Sequence, residues 1–327
     1  MHRVIHLAGR SIELSAADEW RWEAVDALFA GCADSSQTPH LRLRFDQVPP
    51  TVPARPPTLS YTGIDVWLGG DGAACRSAAG VAAVRQGDDI VVGGPMDDWR
   101  ASGSAIDPHL DLQSAFRRSV QHVLADALAE HGRHTLHAAS IRYRDHVVVA
   151  LGGTGAGKST LAYAASRRGG TVLSDDLTFL AGDDSHLVAW GLPKPLNLPG
   201  DLVGEDHSAS EVIPQDARNR VRVPLERSLL EDPGHAAVLL LVAHAPAAGY
   251  VQRIEPGPSL LKTVLPSFPL APDPDRMREL FPIAAALSRL PTWALFHDAD
   301  PARRLDVGGT LLEQITGALA HTSADRT

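Results

Sequence analysis

Over roughly its first hundred residues the chain alternates short strand-like stretches with turn residues. The stretches are "HLRLRFDQV", "TGIDVWLGG" and "GVAAVRQGDDIVVGG", and a proline-rich connection, "VPPTVPARPPTLS", lies between the first two. One helix is expected within this β-rich region. After the acidic start "SAADEW", Trp20, Val25 and Leu28, with Trp22 and Phe29 nearby, form a rough apolar face.

The pattern changes after "ASGSAIDPHLD", which reads as a boundary loop. From Leu112 to about His131 the apolar positions Phe116, Val120, Val123, Leu124 and Leu128 recur at helical spacing. "TLHAASIRYRDHVVVALGG" then predicts a hairpin turning at "YRDH", with "VVVAL" as a buried strand. The segment from Lys158 to Arg168 reads as a helix ending at Gly169-Gly170, and "TVLSDD" as the next strand. Farther on, "AVLLLVAH" and "TWALF" read as strands, while "PSLLKTVLPSF", "DRMRELFPIAAALSRL" and "GGTLLEQITGALA" read as helices. This alternation predicts an α/β core. The expected division is a β-rich N-terminal domain over 1–108 and an α/β domain over 109–327, with no internal repeat.

At 327 residues the chain is long enough for a large domain and a smaller companion. Acidic residues outnumber basic ones 39 to 30, which argues against nucleic acid as a partner. The longest apolar run, from Ala236, is too short to span a bilayer, and the N-terminus lacks a signal-peptide core. Cys32 and Cys75 cannot form a zinc knuckle or a disulfide framework, and a cytoplasmic location with no membrane partner is expected. The only lysines are Lys158, Lys194 and Lys262. Where Arg is the default, a Lys points to a need for a compact ammonium.

Gly152-x4-Gly157-Lys158-Ser159 satisfies the P-loop pattern in full. Between the outer glycines lie Gly153, Thr154, Gly155 and Ala156, and Thr160 follows. Such a loop lets backbone N–H groups approach a β-phosphate without Cβ obstruction, and the following helix adds its positive dipole end. Lys158 is expected to reach the β- and γ-phosphates of a nucleotide, and the Ser159 hydroxyl to ligate Mg²⁺. No Asn-Lys-x-Asp or Leu-Ser-Gly-Gly motif is present, so a GTPase switch and an ABC-type ATPase are disfavoured.

Asp175 and Asp176 end the strand after the P-loop helix, and the exit of such a strand lies at the edge where α/β ligands bind. Two adjacent carboxylates repel unless a cation intervenes. Mg²⁺ would supply that cation and leave the other carboxylate to accept a proton from a substrate hydroxyl.

With "LHAASI", a short hairpin, "GGTGAGKST", one helix and "LSDD" in this order, the chain resembles the HPr kinase/phosphorylase superfamily. More closely it resembles the HPr-kinase-like proteins of modified-peptide gene clusters, including lasso-peptide precursor kinases. The resemblance covers roughly Leu136 to Gly200, and more loosely the strand region after it. It implies a P-loop kinase core of the HPr kinase, PEP carboxykinase-like type, binding ATP and Mg²⁺ and phosphorylating a serine of a peptide or small protein. By position it makes Asp175 the base, Asp176 a Mg²⁺-side carboxylate and His137 a histidine near the transferred phosphate. It also makes a homo-oligomer reasonable. Two departures argue against HPr as the acceptor and against a phosphorylase activity. Thr160 stands where genuine HPr kinases usually carry glutamate, and their later Arg-Gly-Leu-Gly signature is absent.

Lys194, in the proline-flanked turn "WGLPKPLNLPG", is a candidate phosphate or substrate contact, with Asn197 as a weaker companion. His131, His134 and His137 are spaced by threes, yet a zinc site is disfavoured because the first two fall at a helix end or in a loop. "FHDAD", around His297, reads more readily as a turn than as a catalytic cluster. Arg218, Arg220 and Arg222 alternate as on a solvated strand face, which could also receive an acidic peptide. Two rivals to a peptide kinase remain: a nucleotide-gated binding module with slow ATP hydrolysis, and a kinase of a free amino acid or sugar.

Overall fold

The fold is taken from a computed structural model. It describes every residue except 30, 62, 70–71, 96–111, 145, 184–185, 193–195, 204–210, 213–219, 224–233, 245–248, 272, 299–300 and 325–327. The expected boundary loop, Lys194 and Arg218 lie outside the described residues. The chain forms two compact units, Met1–Thr135 with Pro269–Glu279, and Leu136–Phe268 with Leu280–Thr327.

The first unit is built on β1 (His2–Leu7), β2 (Arg10–Ala16), α1 (Glu19–Phe29), β3 (Ala33–Asp34), β4 (Leu41–Asp46), β5 (Leu59–Tyr61), β6 (Ile64–Trp67), β7 (Ala74–Ser77), β8 (Ala82–Gln86), β9 (Asp89–Gly93) and α2 (Leu112–Glu130). Its strands form one nine-stranded sheet in the order β3-β1-β2-β4-β9-β8-β7-β6-β5. Strict alternation positions its centre: Leu41, Leu43 and Phe45 of β4 are buried, while Arg42 and Arg44 are exposed.

The helix α2 belongs to this unit, so the structure divides the chain after Thr135 rather than after residue 108. The physical reason is the apolar stripe of α2. Phe116, Val120, Val123, Leu124 and Leu128 are all buried, the helix covers β6 to β9, and the Phe116 ring lies 5.4 Å from that of Phe45. On its other flank Asp126 accepts from Arg85 Nε at 2.6 Å and from Arg276 Nη2 at 2.9 Å, which ties the segment Pro269–Glu279 to the same unit.

The second unit contains β10 (His134–His137, which enters from the first), β11 (Ala139–Tyr143), β12 (His146–Leu151), α3 (Lys158–Ser166), β13 (Thr171–Ser174), β14 (Leu177–Asp183), β15 (His186–Gly191) and β16 (Leu196–Pro199). After these come α4 (Gly200–Val203), β17 (Glu211–Val212), β18 (Arg220–Val223), β19 (Gly234–His244), β20 (Tyr250–Ile254), α5 (Leu261–Val264), α6 (Pro274–Arg289, which belongs to the first unit up to Glu279 and to the second from Leu280), β21 (Thr292–His297) and α7 (Pro301–Ala324). The main sheet runs β10-β14-β15-β19-β12-β11-β13, with β21 also beside β19 and β20 beside β21. β16, β18 and β17 form a separate small sheet.

The expected hairpin is β11–β12, paired from Ala139↔Ala150 to Tyr143↔His146, with Arg144 in the left-handed region at its turn. The expected helix over "PSLLKTVLPSF" is instead the single turn of α5 between two 3₁₀ turns. Pro266 lacks the N–H that a continuing helix would need. β12, β19 and β21 are mutually parallel, buried for most of their length, and end at one edge of the sheet. Leu161 and Ala162 of α3 pack with Leu240, Leu295 and Leu312 in the core beneath that edge. Both units are thus mixed α/β, each with a large sheet.

Candidate active site

Between the buried end of β12 at Leu151 and the first residue of α3 the chain must reverse within six residues, Gly152 to Gly157. Gly152 lies so close to β19 that a Cβ would sit 2.5 Å from the Val242 carbonyl oxygen. Gly155 and Gly157 have φ of +79° and +101°, where L side chains are strained. The turn closes through Ala156 N–H donating to Gly153 O at 3.1 Å. No side chain caps α3 at Gly157, so its first-turn amides remain available to an anion.

Lys158 is buried, and its ammonium donates to Gly152 O at 2.6 Å and Gly153 O at 3.2 Å. Its third neighbour is His137 Nε2 at 3.3 Å, and the other ring nitrogen, Nδ1, lies 2.8 Å from Asp176 Oδ1. An ammonium has no lone pair, so Nε2 accepts and Nδ1–H donates to the carboxylate. The result is a chain from Lys158 through His137 to Asp176. The Asp pair is itself held in a turn: Ser174 Oγ accepts from the amides of Asp176 and Leu177, and the Asp176 carbonyl accepts from Ala138 N–H.

Asp175 points to the other partner. Ser159 Oγ donates to Asp175 Oδ2 at 3.0 Å, and Asp175 is buried at 5% exposure, whereas the Asp176 side chain is 33% exposed. Both carboxylates line one cavity of about 300 Å³, together with His137, Thr154 to Thr160, Asn197, Pro199, His244 and Arg304. Asn197 Oδ1 is buried there without a hydrogen-bond partner among the described residues.

Of the residues singled out in the sequence, the structure brings His137, Asp175, Asp176, Asn197 and Thr154 to Thr160 into this cavity, with Gly152 and Gly153 holding the lysine. His131 instead faces Asp88 at 3.3 Å, and His134 is buried. Among the described residues no group of three or more His, Cys, Asp or Glu could hold a metal ion by itself. Ser159 and Asp175 nonetheless fit Mg²⁺, which typically takes one or two protein oxygens and completes its shell with phosphate and water.

His244 and Arg304 were not anticipated, and His297, read as part of a turn, instead ends the strand β21 and is buried. His244 Nε2 lies 2.6 Å from Gly155 O, His297 Nε2 lies 3.2 Å from Gly157 O, and Arg304 Nε donates to Asp298 O at 2.7 Å. Burial above all, then the neighbouring His244 and Arg304, pushes the His297 imidazole down to about 4, so it is neutral at pH 7. A sequence signal existed: "LLLVAH" and "WALFH" each end an apolar run in histidine, and parallel strand ends are where α/β ligands bind.

No protein-family model matches the chain, and no curated protein does. Among solved structures it is similar to the HPr(Ser) kinase/phosphatase from Coxiella burnetii, with 13% identity, 59% of this chain and 96% of that one covered, and a TM-score of 0.29. A likeness this slight carries no argument about function, which therefore rests on the site itself. Among the described residues no helix is long and apolar enough to cross a membrane.

Proposed function

We propose that the protein is an ATP- and Mg²⁺-dependent kinase that transfers the γ-phosphoryl group to a hydroxyl, a serine of a peptide or small protein. The observation that carries this reading is the convergence of a phosphate-cradling loop and two differently partnered carboxylates on one cavity. A module that only binds phosphate has no need of the second carboxylate and its histidine.

In this reading Lys158 and the amides at the start of α3 bind the β- and γ-phosphates, displacing the lysine from the loop carbonyls. Ser159 and Asp175 hold Mg²⁺, which neutralises charge on the phosphate oxygens when bound. Asp176, oriented by His137, accepts the proton of the acceptor hydroxyl. The acceptor oxygen forms its bond to the γ-phosphorus as the bond to the β–γ bridging oxygen breaks, and ADP leaves. Lys158 stabilises the charge that develops on the transferred group. The geometry favours this order of the two aspartates, opposite to the one implied by the family resemblance, because it is Asp175 that meets the metal-side hydroxyl. A cytoplasmic location and a homo-oligomer remain part of the proposal.

The test is incubation with γ-labelled ATP, Mg²⁺ and an extract of the source cells, followed by mass-spectrometric location of the label. Label on a serine, lost in Asp176→Asn, is expected. Label found only as free phosphate, equally with both proteins, overturns the kinase and leaves a nucleotide-gated module. Label on a free amino acid or sugar leaves the small-molecule kinase.

A further inference from the structure

The nucleotide loop is held from behind. His297 is fully buried at the end of β21, and its register partner on β19 is His244. Each imidazole meets a different carbonyl of the glycine turn, Gly157 O at 3.2 Å and Gly155 O at 2.6 Å. A carbonyl only accepts, so Nε2 of His297 must carry the proton. Its Nδ1 is buried without a hydrogen-bond partner among the described residues, which fits the bare acceptor nitrogen of that tautomer. The opposite tautomer would aim a lone pair at the carbonyl and bury an unsatisfied N–H.

Gly157 O is the right atom to hold. It already accepts the first helical bond of α3, from Leu161 N–H at 2.9 Å, and His297 supplies a second donor. The protein has no cis peptide bond among the described residues, so the carbonyl of residue 157 and the N–H of residue 158 point in opposite directions. Fixing the carbonyl on the strand side therefore aims the Lys158 amide to the opposite side, and Lys158 lines the cavity. Contact is close enough that a Cβ on Gly157 would lie 2.3 Å from His297 Cδ2, so this glycine admits the imidazole as well as adopting its positive φ.

We propose that His297 is a positioning residue of the nucleotide-phosphate loop. Its Nε2–H sets the Gly157 carbonyl, and with it the first amide of α3, while His244 holds Gly155 in the same way. The inference rests on the nucleotide-binding reading of the site. A neutral donor suits the task, because it orients the backbone without placing a second cation behind the lysine. Preorganised amides need not be reordered when phosphate arrives, and that saving appears as affinity.

The experiment compares wild type, His297→Phe, His297→Gln and Lys158→Ala for MgADP binding by calorimetry, with melting curves for each. Phe keeps the ring and removes the donor, whereas Gln places an N–H near the position of Nε2. The expected result is roughly fivefold to tenfold weaker binding for His297→Phe without a lower melting temperature. His297→Gln should stay within about twofold of wild type. Unchanged binding in His297→Phe, or an equal loss in His297→Gln, overturns the proposal. If wild type binds neither ADP nor ATP, the nucleotide reading itself has failed. The brace is then decided by amide hydrogen exchange at Lys158 and Ser159 in the nucleotide-free protein. Faster exchange in His297→Phe than in wild type and His297→Gln upholds it, and equal rates overturn it.

Discussion

Ser159 Oγ and Asp175 Oδ2 are 3.0 Å apart, a hydrogen bond between the loop that cradles phosphate and the strand end that carries the carboxylate pair. A divalent cation placed against the serine hydroxyl is therefore also against Asp175. Asp176, one residue on, faces His137 instead. This difference separates the expected effects of two otherwise similar substitutions.

Asp175→Asn should raise the Mg²⁺ concentration needed for half-maximal activity. Asp176→Asn should leave MgADP binding within about twofold of wild type while lowering transfer by roughly 10² to 10⁴. Titrating Mg²⁺ in the transfer assay, with calorimetry alongside, distinguishes them. The reverse pattern would restore the order that the family resemblance implies.

Lys158→Ala removes the compact cation aimed into the loop, together with its contacts to the loop carbonyls and His137. Nucleotide affinity should fall by roughly tenfold to a hundredfold, the value of a charge-assisted hydrogen bond. Fluorescent-ADP titration reads the loss directly. Lys158→Arg should not rescue it, because the planar fork does not fit a site shaped for a point charge.

Gly157→Ala places a methyl group 2.3 Å from the His297 ring and forces an L side chain into φ +101°. Destabilisation of roughly 1–3 kcal/mol is expected from the backbone conformation, with loss of phosphate binding as the helix start shifts. Denaturant unfolding and phosphate competition measure the two effects separately.

The depressed His297 imidazole makes a signed contribution to stability. In the unfolded chain it takes up a proton near pH 6.5, whereas in the folded protein it resists until about 4. Between those values the unfolded state binds more protons, so stability falls as pH drops from about 6.5 towards 4, by roughly 3 kcal/mol at most. His297→Phe should lose this component, visible as a shallower difference in unfolding free energy between pH 7 and pH 4.5.

In the first unit Asp126, with a side chain only 2% exposed, is shared by Arg85 and Arg276. Asp126→Ala leaves these two guanidinium groups with the more exposed Glu130 as their remaining shared carboxylate. A loss of roughly 3 kcal/mol, the lower end of the range for removing one partner of a buried ion pair, is expected in urea unfolding.

The glycine loop was legible because its chemistry is contiguous: Gly152 to Thr160 spell strand, turn and helix start within a span that short-range rules govern. Asp175 and Asp176 were legible as a pair for the same reason. His244 and His297 were not, since the carbonyls they hold lie 89 and 140 residues away in the chain. The stripe of α2 was also legible, but not the sheet that it covers. Any buried apolar surface of suitable size would satisfy the same periodicity.

Local sequence alone therefore specified α1, α2, α3 and the strands that flank the glycine turn, that a phosphate-binding turn links one strand to one helix, and that two carboxylates follow it. Those features arise from backbone sterics, side-chain period and glycine's permissive φ, which act over a few residues. Tertiary structure alone decided that α2 folds with the first unit, that Asp175 meets Ser159 while Asp176 meets His137, and that two histidines stand behind the loop. These outcomes follow from the parallel pairing of β12, β19 and β21 and from how strand exits turn. The apolar runs of those strands are interchangeable to local rules, and become distinct only when one sheet must bury them all together.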